Sequence, residues 1–139
     1  MSIFKKILPI LLLCSLQACG QIGNHQHKTI TQMEYRKISN QKVKDAIEAW
    51  QKGKVALWLS FFTADALLLD DGHPRDFNKF STEAIGHEHF TSVDKVEDNG
   101  MSVYGSFHSD TWGDFKTYFK FYLDAAGKFS KLEIGQASY

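Results

Sequence analysis

The spacing of apolar residues divides the chain into a helical first part and a strand-rich second part. In the first part, apolar residues recur every three or four positions, at Val43, Ala46, Ile47 and Trp50. This period predicts an amphipathic helix that begins after a cap at Ser39 or Asn40 and ends near Gly53. A second short helix is predicted over 54–62, with one apolar face made by Val55, Trp58, Leu59 and Phe62.

The pattern changes after the second helix. A short strand is predicted over 67–71, and a third helix from an Asp76 cap to Gly86. Four further strands are predicted over 90–97, 101–109, 115–124 and 129–137. Turn signals separate them, at Asn99-Gly100, 110–113 and Ala126-Gly127. Helices followed by an antiparallel meander indicate an α+β domain, in which three N-terminal helices pack on the sheet.

Strand register decides which of these side chains share a face of the sheet. Even-length turns in the last two hairpins would pair Ser109 with Asp114 and Asp124 with Phe129. The inner face would then hold Tyr104, Ser106, His108, Phe115, Thr117, Phe119, Phe121, Leu123, Leu132, Ile134 and Gln136. The outer, solvated face would hold Lys116, Tyr118, Lys120, Tyr122, Lys131 and Glu133. An odd-length loop or a bulge would reverse the assignment.

The predicted inner face suits a small-molecule pocket, because it is a mostly apolar wall with a few convergent polar groups. The candidate lining comprises Trp58 and Phe62 from the helices with Tyr104, Ser106, Thr117, Phe119, Ile134 and Gln136 from the sheet. The alternative is an ordinary core whose hydroxyl and amide groups are satisfied locally.

The N-terminal segment has the organisation of a secretory signal. Lys5 and Lys6 precede an apolar run over 7–13, which is well short of the roughly 20 residues that span a bilayer. The following Leu16-Gln17-Ala18-Cys19 resembles the bacterial lipobox, whose cysteine is acylated and becomes the new N-terminus. The alternative is an ordinary cleaved signal in which the cysteine is incidental.

The lipobox resemblance divides the chain into three parts. Residues 1–18 are expected to be a lipoprotein signal peptide, 19–39 a lipidated N-terminus and tether, and 40–139 the folded domain. Gly20 is not the aspartate that retains enteric lipoproteins at the inner membrane. The expected location is therefore the bacterial cell envelope, on the outer membrane facing the periplasm in a Gram-negative host.

The order of elements and several aromatic positions resemble a known superfamily. The helical opening VKDAIEAWQKGKVALWLSFFTADALLLDDG and the final KLEIGQ are similar to nuclear transport factor 2-like proteins, and most of all to bacterial SnoaL-like domains. The resemblance covers about 40–139 and rests on Trp50, Trp58, Phe62, Asp65 and Ala66. It implies a cone in which helices close one side of a strongly bent sheet around a cavity. Because members include isomerases, cyclases, dehydratases and transport adaptors, it implies no particular reaction.

Charge and cysteine content narrow the classes of partner. Without residues 1–18 the chain has 14 basic and 16 acidic side chains, so it lacks the basic excess typical of nucleic-acid binding. Cys19 is then the one remaining cysteine, and once acylated it forms no disulfide. No motif indicates a cofactor, and none is expected.

Asp71 and His108 are the candidate catalytic residues. Asp71 alternates with Leu67 and Leu69, so its carboxylate would share their face and have a raised pKa if that face were desolvated. The alternative is a turn-capping aspartate paired with Arg75. His108 has polar neighbours on the predicted inner face, although a lone strand histidine is more often a hydrogen-bonded core or rim residue.

The sequence His87-Glu88-His89 places two imidazoles on one side of a strand, in the manner of metal ligands. Two ligands make a weak site, and a third would have to come from Glu97, Asp94 or His108 through folding. We therefore expect no metal site.

The leading hypothesis is an envelope lipoprotein whose domain binds a small, largely apolar molecule without transforming it. The first alternative is an acid–base enzyme of the isomerase, cyclase or dehydratase type. The second is a protein-interaction module that forms a homodimer through the outer sheet face, with Tyr118, Lys120 and Tyr122 in the contact.

Replacing the lipobox cysteine tests the anchor. The Cys19→Ser variant leaves no thiol to acylate, so it should move from the membrane to the soluble fraction after cell lysis. Fractionation with detection of the protein, and the mass of the mature N-terminus, measure this. Continued membrane association of Cys19→Ser would contradict the lipid anchor.

Overall fold

The computed structural model describes residues 30–139, so Cys19 lies outside the described part of the chain. Four α-helices cover Gln32–Tyr35 (α1), Gln41–Gln51 (α2), Val55–Ser60 (α3) and Phe77–Ala84 (α4). Seven strands cover Phe62–Asp70 (β1), His73–Arg75 (β2), Glu88–Phe90 (β3), Lys95–Glu97 (β4), Ser102–Ser109 (β5), Gly113–Leu123 (β6) and Phe129–Gln136 (β7). None of the helices within 30–139 is long and apolar enough to cross a membrane.

The predicted helices are present, with the caps that the sequence indicates. The Asn40 side chain accepts the N–H of Val43 at 3.1 Å, which caps α2. The Asp76 side chain accepts the N–H of Lys79 at 2.8 Å, which caps α4. These short polar side chains satisfy backbone donors that have no partner inside the helix.

The sheet is curved and mixed, and the fold is α+β as predicted. The strands lie in the order β2-β1-β7-β6-β5-β3, and β4 also pairs with β5. The antiparallel sheet of the prediction is correct for the meander, but β1 runs parallel to β7. The reason is that β1 begins directly after α3 and is separated from β7 by the whole meander, so no hairpin constrains their relative direction.

The strand predicted over 90–97 is broken into β3 and β4. The carbonyl oxygen of Ser92 approaches Gly105 of β5 so closely that a Cβ atom added to Gly105 would lie 1.9 Å from this oxygen. Between the two short strands, Val93 turns inward and is fully buried. The edge of the sheet thus bends over Gly105, a position that only glycine allows.

The folded part begins earlier than the expected boundary at residue 40. Ile30, Tyr35 and Ile38 are buried in the hydrophobic core, with exposed fractions of 6%, 9% and 3%. The sequence signal was weak because these apolar residues stand alone in a polar segment, without helical or strand period.

The core is built around two tryptophans, one on α2 and one on α3. The rings of Trp50 and Trp58 meet edge to face with centroids 5.0 Å apart, and both contact Phe119 of β6. Their indole N–H groups are satisfied, because Trp50 donates to the Glu88 carbonyl at 2.8 Å and Trp58 to the Ser81 hydroxyl at 3.0 Å. The helices are therefore fixed to the concave side of the sheet by packing and by hydrogen bonds.

The register between β6 and β7 agrees with the prediction from Tyr122 to Thr117, although Phe129 pairs with Leu123 and not with Asp124. The register between β5 and β6 differs from the prediction by one residue. Phe121 pairs with Leu132, Phe119 with Ile134 and Thr117 with Gln136. On the other side of β6, Ser109 pairs with Gly113 and not with Asp114. The connection is therefore a three-residue loop, and Gly113 adopts a positive φ of 75° at its end.

Because of this one-residue shift, the β5 side chains on the inner face differ from the predicted ones. Tyr104, Ser106 and His108 lie on the outer face, because every β5 side chain changes side when the register moves by one. Val103, Phe107 and Ser109 take their places and are buried. The outer face predicted for β6 and β7 is correct, since their mutual register is as expected.

Removing the indole N–H of Trp58 should destabilise the domain measurably. Trp58→Phe leaves the fully buried Ser81 hydroxyl without its partner, so the free energy of unfolding should fall by about 1–3 kcal/mol. Urea unfolding followed by tryptophan fluorescence measures it. The double variant Trp58→Phe/Ser81→Ala, which leaves no orphaned hydroxyl, should recover part of the loss. Equal stability of the single and double variants would show that this hydrogen bond is not the cause.

Candidate functional site

An open cavity of about 640 Å³ lies between the inner face of the sheet and helix α4. It occupies the end of the cone where β1, β5 and β7 finish and β6 begins. The tryptophan pair packs behind its wall, since Trp50 contacts Phe80 and Phe107, so this cavity is the space that the aromatic core leaves open.

The wall of the cavity is aromatic and aliphatic. It is formed by Phe80 and Ala84 of α4 with Phe107, Phe115, Phe119 and Ile134 of the sheet. The Phe107 and Phe119 rings contact each other at a tilt, with centroids 5.7 Å apart, and continue into the buried core, whereas Phe115 is half-buried. An apolar body of small size can therefore contact rings on several sides.

Polar groups surround the wall. The Thr117 hydroxyl is buried and donates to the Gly135 carbonyl at 2.7 Å, so it is satisfied within the sheet. Gln136 is exposed at the end of β7. Trp112, in the loop between β5 and β6, is 78% exposed although it lines the cavity.

Carboxylates predominate at the mouth. The acidic lining residues are Asp70, Asp71, Glu83, Glu88 and Asp114, whereas the basic lining residue is Arg75. Arg75 donates to Asp70 at 2.6 Å, and its guanidinium lies 4.8 Å from the centre of the Phe80 ring. The cavity thus combines an apolar interior with a strongly negative rim.

Glu88 is the acidic residue of the cavity lining whose pKa is shifted. Burial raises the pKa of its carboxyl group, and the neighbouring charges of Asp70 and Asp110 act in the same direction. The Ser109 hydroxyl, which donates to Glu88 at 2.9 Å, and the Arg75 charge oppose that pKa shift. A carboxyl group with a raised pKa in a cleft is a candidate for proton exchange or for ligand recognition.

The structure distributes the predicted lining residues over three regions. Thr117, Phe119, Ile134 and Gln136 line the cavity. Trp58 and Phe62 lie deeper, in the closed aromatic core, where their rings are 4.8 Å apart. Tyr104 and Ser106 point away from the cavity, because of the three-residue loop described above.

The two predicted catalytic residues do not come together inside the cavity. Asp71 is exposed at the rim, on the face opposite to the apolar wall, where its carboxylate accepts the Gln136 N–H at 3.1 Å. Alternation with Leu67 and Leu69 was correct, but this face of β1 is the outer one, because Leu68 and Asp70 face inward beside Leu132 and Ile134. Asp70, not Asp71, is the partner of Arg75.

His108 belongs to a group at the sheet edge. Its Nδ1 lies 2.7 Å from Asp114 Oδ1, and its ring lies 5.4 Å from that of His89, its cross-strand partner. The hydrogen bond to Asp114 and the charges of Asp114 and Asp110 raise the pKa of His108, against the opposing effect of burial. Folding does bring His108 beside His89, yet no group of three or more potential ligands within 30–139 could hold a metal ion.

Sequence reasoning missed the residues that dominate the mouth, namely Asp70, Arg75, Glu83, Glu88 and Asp114. Glu88 was assigned to the metal-like His87-Glu88-His89 stretch, and its position against the cavity depends on the pairing of β3 with β5. The available signal was Arg75, a lone arginine after two consecutive aspartates, which indicates an ion pair at a strand end.

Comparisons with known proteins identify the class of fold. An NTF2-like protein of unknown function from Cytophaga hutchinsonii superposes with a TM-score of 0.56 at 11% identity, over 69% of this chain and 87% of that one. A SnoaL-like protein of unknown function from Burkholderia thailandensis gives 0.55 at 15% identity, over 79% and 99%. The Anabaena orange carotenoid protein, solved with canthaxanthin bound, gives 0.58 at 16% identity, over 73% of this chain but only 38% of that one.

These neighbours share the nuclear transport factor 2-like cone with this chain, and at such identities the likeness concerns the fold alone. No protein family model and no curated protein matches the sequence.

Neutralising Glu88 should stabilise the protein near neutral pH. Because the folded state binds the Glu88 proton more tightly than the unfolded chain, the free energy of unfolding falls as pH rises from the ordinary glutamate pKa through the raised one. Glu88→Gln removes that loss and keeps an acceptor for Ser109, so its melting temperature should exceed the native one at pH 7 and approach it below pH 4.5. Calorimetry across this range measures the effect. Glu83→Gln, on the exposed side of the same cavity, is the matched control, and an equal gain in both variants would contradict the role of burial.

Proposed function

We propose that this protein is a lipid-anchored domain of the bacterial cell envelope that binds a small, largely apolar molecule. The observation that carries the proposal is the open cavity of about 640 Å³, lined by aromatic side chains and surrounded by polar groups. Binding pockets for small molecules have roughly 300–1,000 Å³, and most of their lining is apolar.

The shape of the cavity supports binding of a molecule from solution. Trp112 and Phe115 are large rings that remain accessible at the mouth instead of closing into the core. Exposing such rings to water is unfavourable unless a ligand covers them. The Anabaena carotenoid protein, of which 38% superposes on this chain, was solved with canthaxanthin bound, so a protein that contains this type of fold holds an apolar ligand.

The anchor would keep the domain close to the membrane. Residues 20–29 separate Cys19 from Ile30, and a fully extended chain of this length spans at most about 40 Å. An acylated Cys19 would therefore hold the cavity within one domain diameter or so of the lipid surface, where apolar molecules concentrate.

Acid–base turnover of the bound molecule is the second candidate, and the raised pKa of Glu88 favours it. Isomerases, cyclases and dehydratases need such a group in contact with substrate. Glu88→Gln separates the two functions for an uncharged molecule, because a pure binding protein keeps its affinity without the proton, whereas an enzyme of this type retains binding and loses turnover.

Crowding the mouth should block binding. Gln136→Trp adds a large side chain at an exposed lining position, so the affinity for N-phenyl-1-naphthylamine, an apolar dye that is neutral at pH 7, should fall at least tenfold. Dye fluorescence measures the dissociation constant. Gln41→Trp, the same substitution at an exposed position of α2 outside the cavity, is the control. Unchanged dye affinity in Gln136→Trp would show that the dye binds elsewhere.

A further inference from the structure

The charge of the cavity lining is strongly unbalanced. Of its acidic lining residues, Asp70, Glu83 and Glu88 have their carboxylates on the cavity side, whereas Asp71 and Asp114 have theirs on the outer side of the sheet; its one arginine is Arg75. This imbalance is local, since the chain as a whole has equal numbers of basic and acidic residues. The negative charge is therefore a property of this cavity and not of the surface in general.

Asp70 pairs with Arg75 and Asp114 with His108, whereas Glu83 and Glu88 form no ion pair within 30–139. Arg75 is engaged with Asp70 at 2.6 Å. Asp71 accepts a backbone N–H and Glu88 a hydroxyl, which are uncharged donors. Within 30–139, no side chain forms a hydrogen bond or an ion pair with Glu83.

The environment of Glu88 shows that the charge reaches the interior. Glu88 is half-buried beside the apolar wall, where burial first of all, and then repulsion from Asp70 and Asp110, raises the pKa of its carboxyl group against the effects of the Ser109 hydroxyl and the Arg75 charge. A positive charge placed here would relieve that repulsion. An anionic ligand would increase it.

Aromatic rings at the same mouth add a second preference for a cation. Trp112 is 78% exposed there, and the half-buried Phe115 follows it on β6. The faces of such rings attract organic cations, and tryptophan does so best. The arrangement is less suited to a bare metal ion, for which the described residues offer no group of three ligands.

We infer that the ligand of this cavity is a cationic amphiphile, an organic amine whose apolar body packs on the Phe107, Phe115 and Phe119 wall while its ammonium group lies among the carboxylates of the mouth. The inference rests on the proposed function, since it names the chemical class of the molecule that the same cavity binds. The charge provides selectivity, and the apolar wall provides most of the affinity.

Three probes with one apolar body test the charge preference. 4-Phenylbutylamine, 4-phenylbutan-1-ol and 4-phenylbutyrate are cationic, neutral and anionic at pH 7. Each is titrated into the full chain carrying Cys19→Ser, and amide shifts in two-dimensional NMR spectra give the dissociation constants. The amine should bind at least tenfold more tightly than the alcohol, and the carboxylate should bind most weakly.

Charge-removing variants assign the preference to the cavity. Glu83→Gln and Glu88→Gln should each weaken amine binding at least threefold and leave alcohol binding unchanged. Glu97→Gln removes the same charge from an exposed position of β4 outside the cavity, so it should change neither. An amine preference that survives both cavity substitutions would overturn the assignment.

The outcomes separate the inference from the proposed function. Equal binding of the amine and the alcohol would overturn the cationic ligand and leave a neutral apolar ligand as the function. If neither the three probes nor N-phenyl-1-naphthylamine bound, the proposed function itself would be wrong.

Discussion

The structure depends on the packing of two indole rings into the concave side of a bent sheet. Trp50 and Trp58 come from different helices, meet edge to face and both contact Phe119, so one cluster joins α2, α3 and β6. Each indole N–H also has an acceptor, and the cluster is therefore satisfied in packing and in hydrogen bonding. Trp50 also supports the cavity wall through Phe80 and Phe107, and open space remains beyond that wall, where β1, β5 and β7 finish.

The open end of the cone holds aromatic and acidic groups whose arrangement lowers the stability of the protein. The Trp112 ring and part of the Phe115 ring stay accessible, and a half-buried Glu88 has neighbours of its own charge. Both features oppose stability, and both become favourable when an organic cation with an apolar body occupies the space. The ion pair of Arg75 with Asp70 offsets part of the repulsion. The cavity therefore resembles a recognition site, whose groups are arranged for a partner, more than an incompletely filled core.

One loop determines which face of β5 belongs to the cavity. The three residues after Ser109 shift the register of β5 against β6, bring Phe107 inward and place His108 beside His89 on the outside. The same loop carries Trp112 to the mouth.

The next hairpin differs, because a register shift between Tyr122 and Leu123 pairs Leu123 with Phe129. The remaining pairs of β6 and β7 are therefore those that an even-length turn would give. The turns of the two hairpins are similar in sequence, yet the predicted register was wrong for β5 with β6 and correct for most of β6 with β7.

The sequence by itself determined the helices, their Asn40 and Asp76 caps, the meander and the register of β6 with β7, since these follow from periodicity and from contacts between residues close in the chain. It determined four of the six sheet residues predicted to line the cavity, namely those on β6 and β7. Tertiary structure alone decided the face of β5, the parallel pairing of β1 with β7 and the acidic mouth. The physical reason is that a single loop residue reverses a whole strand, and that the acidic lining residues come from four separate segments whose proximity no local pattern encodes.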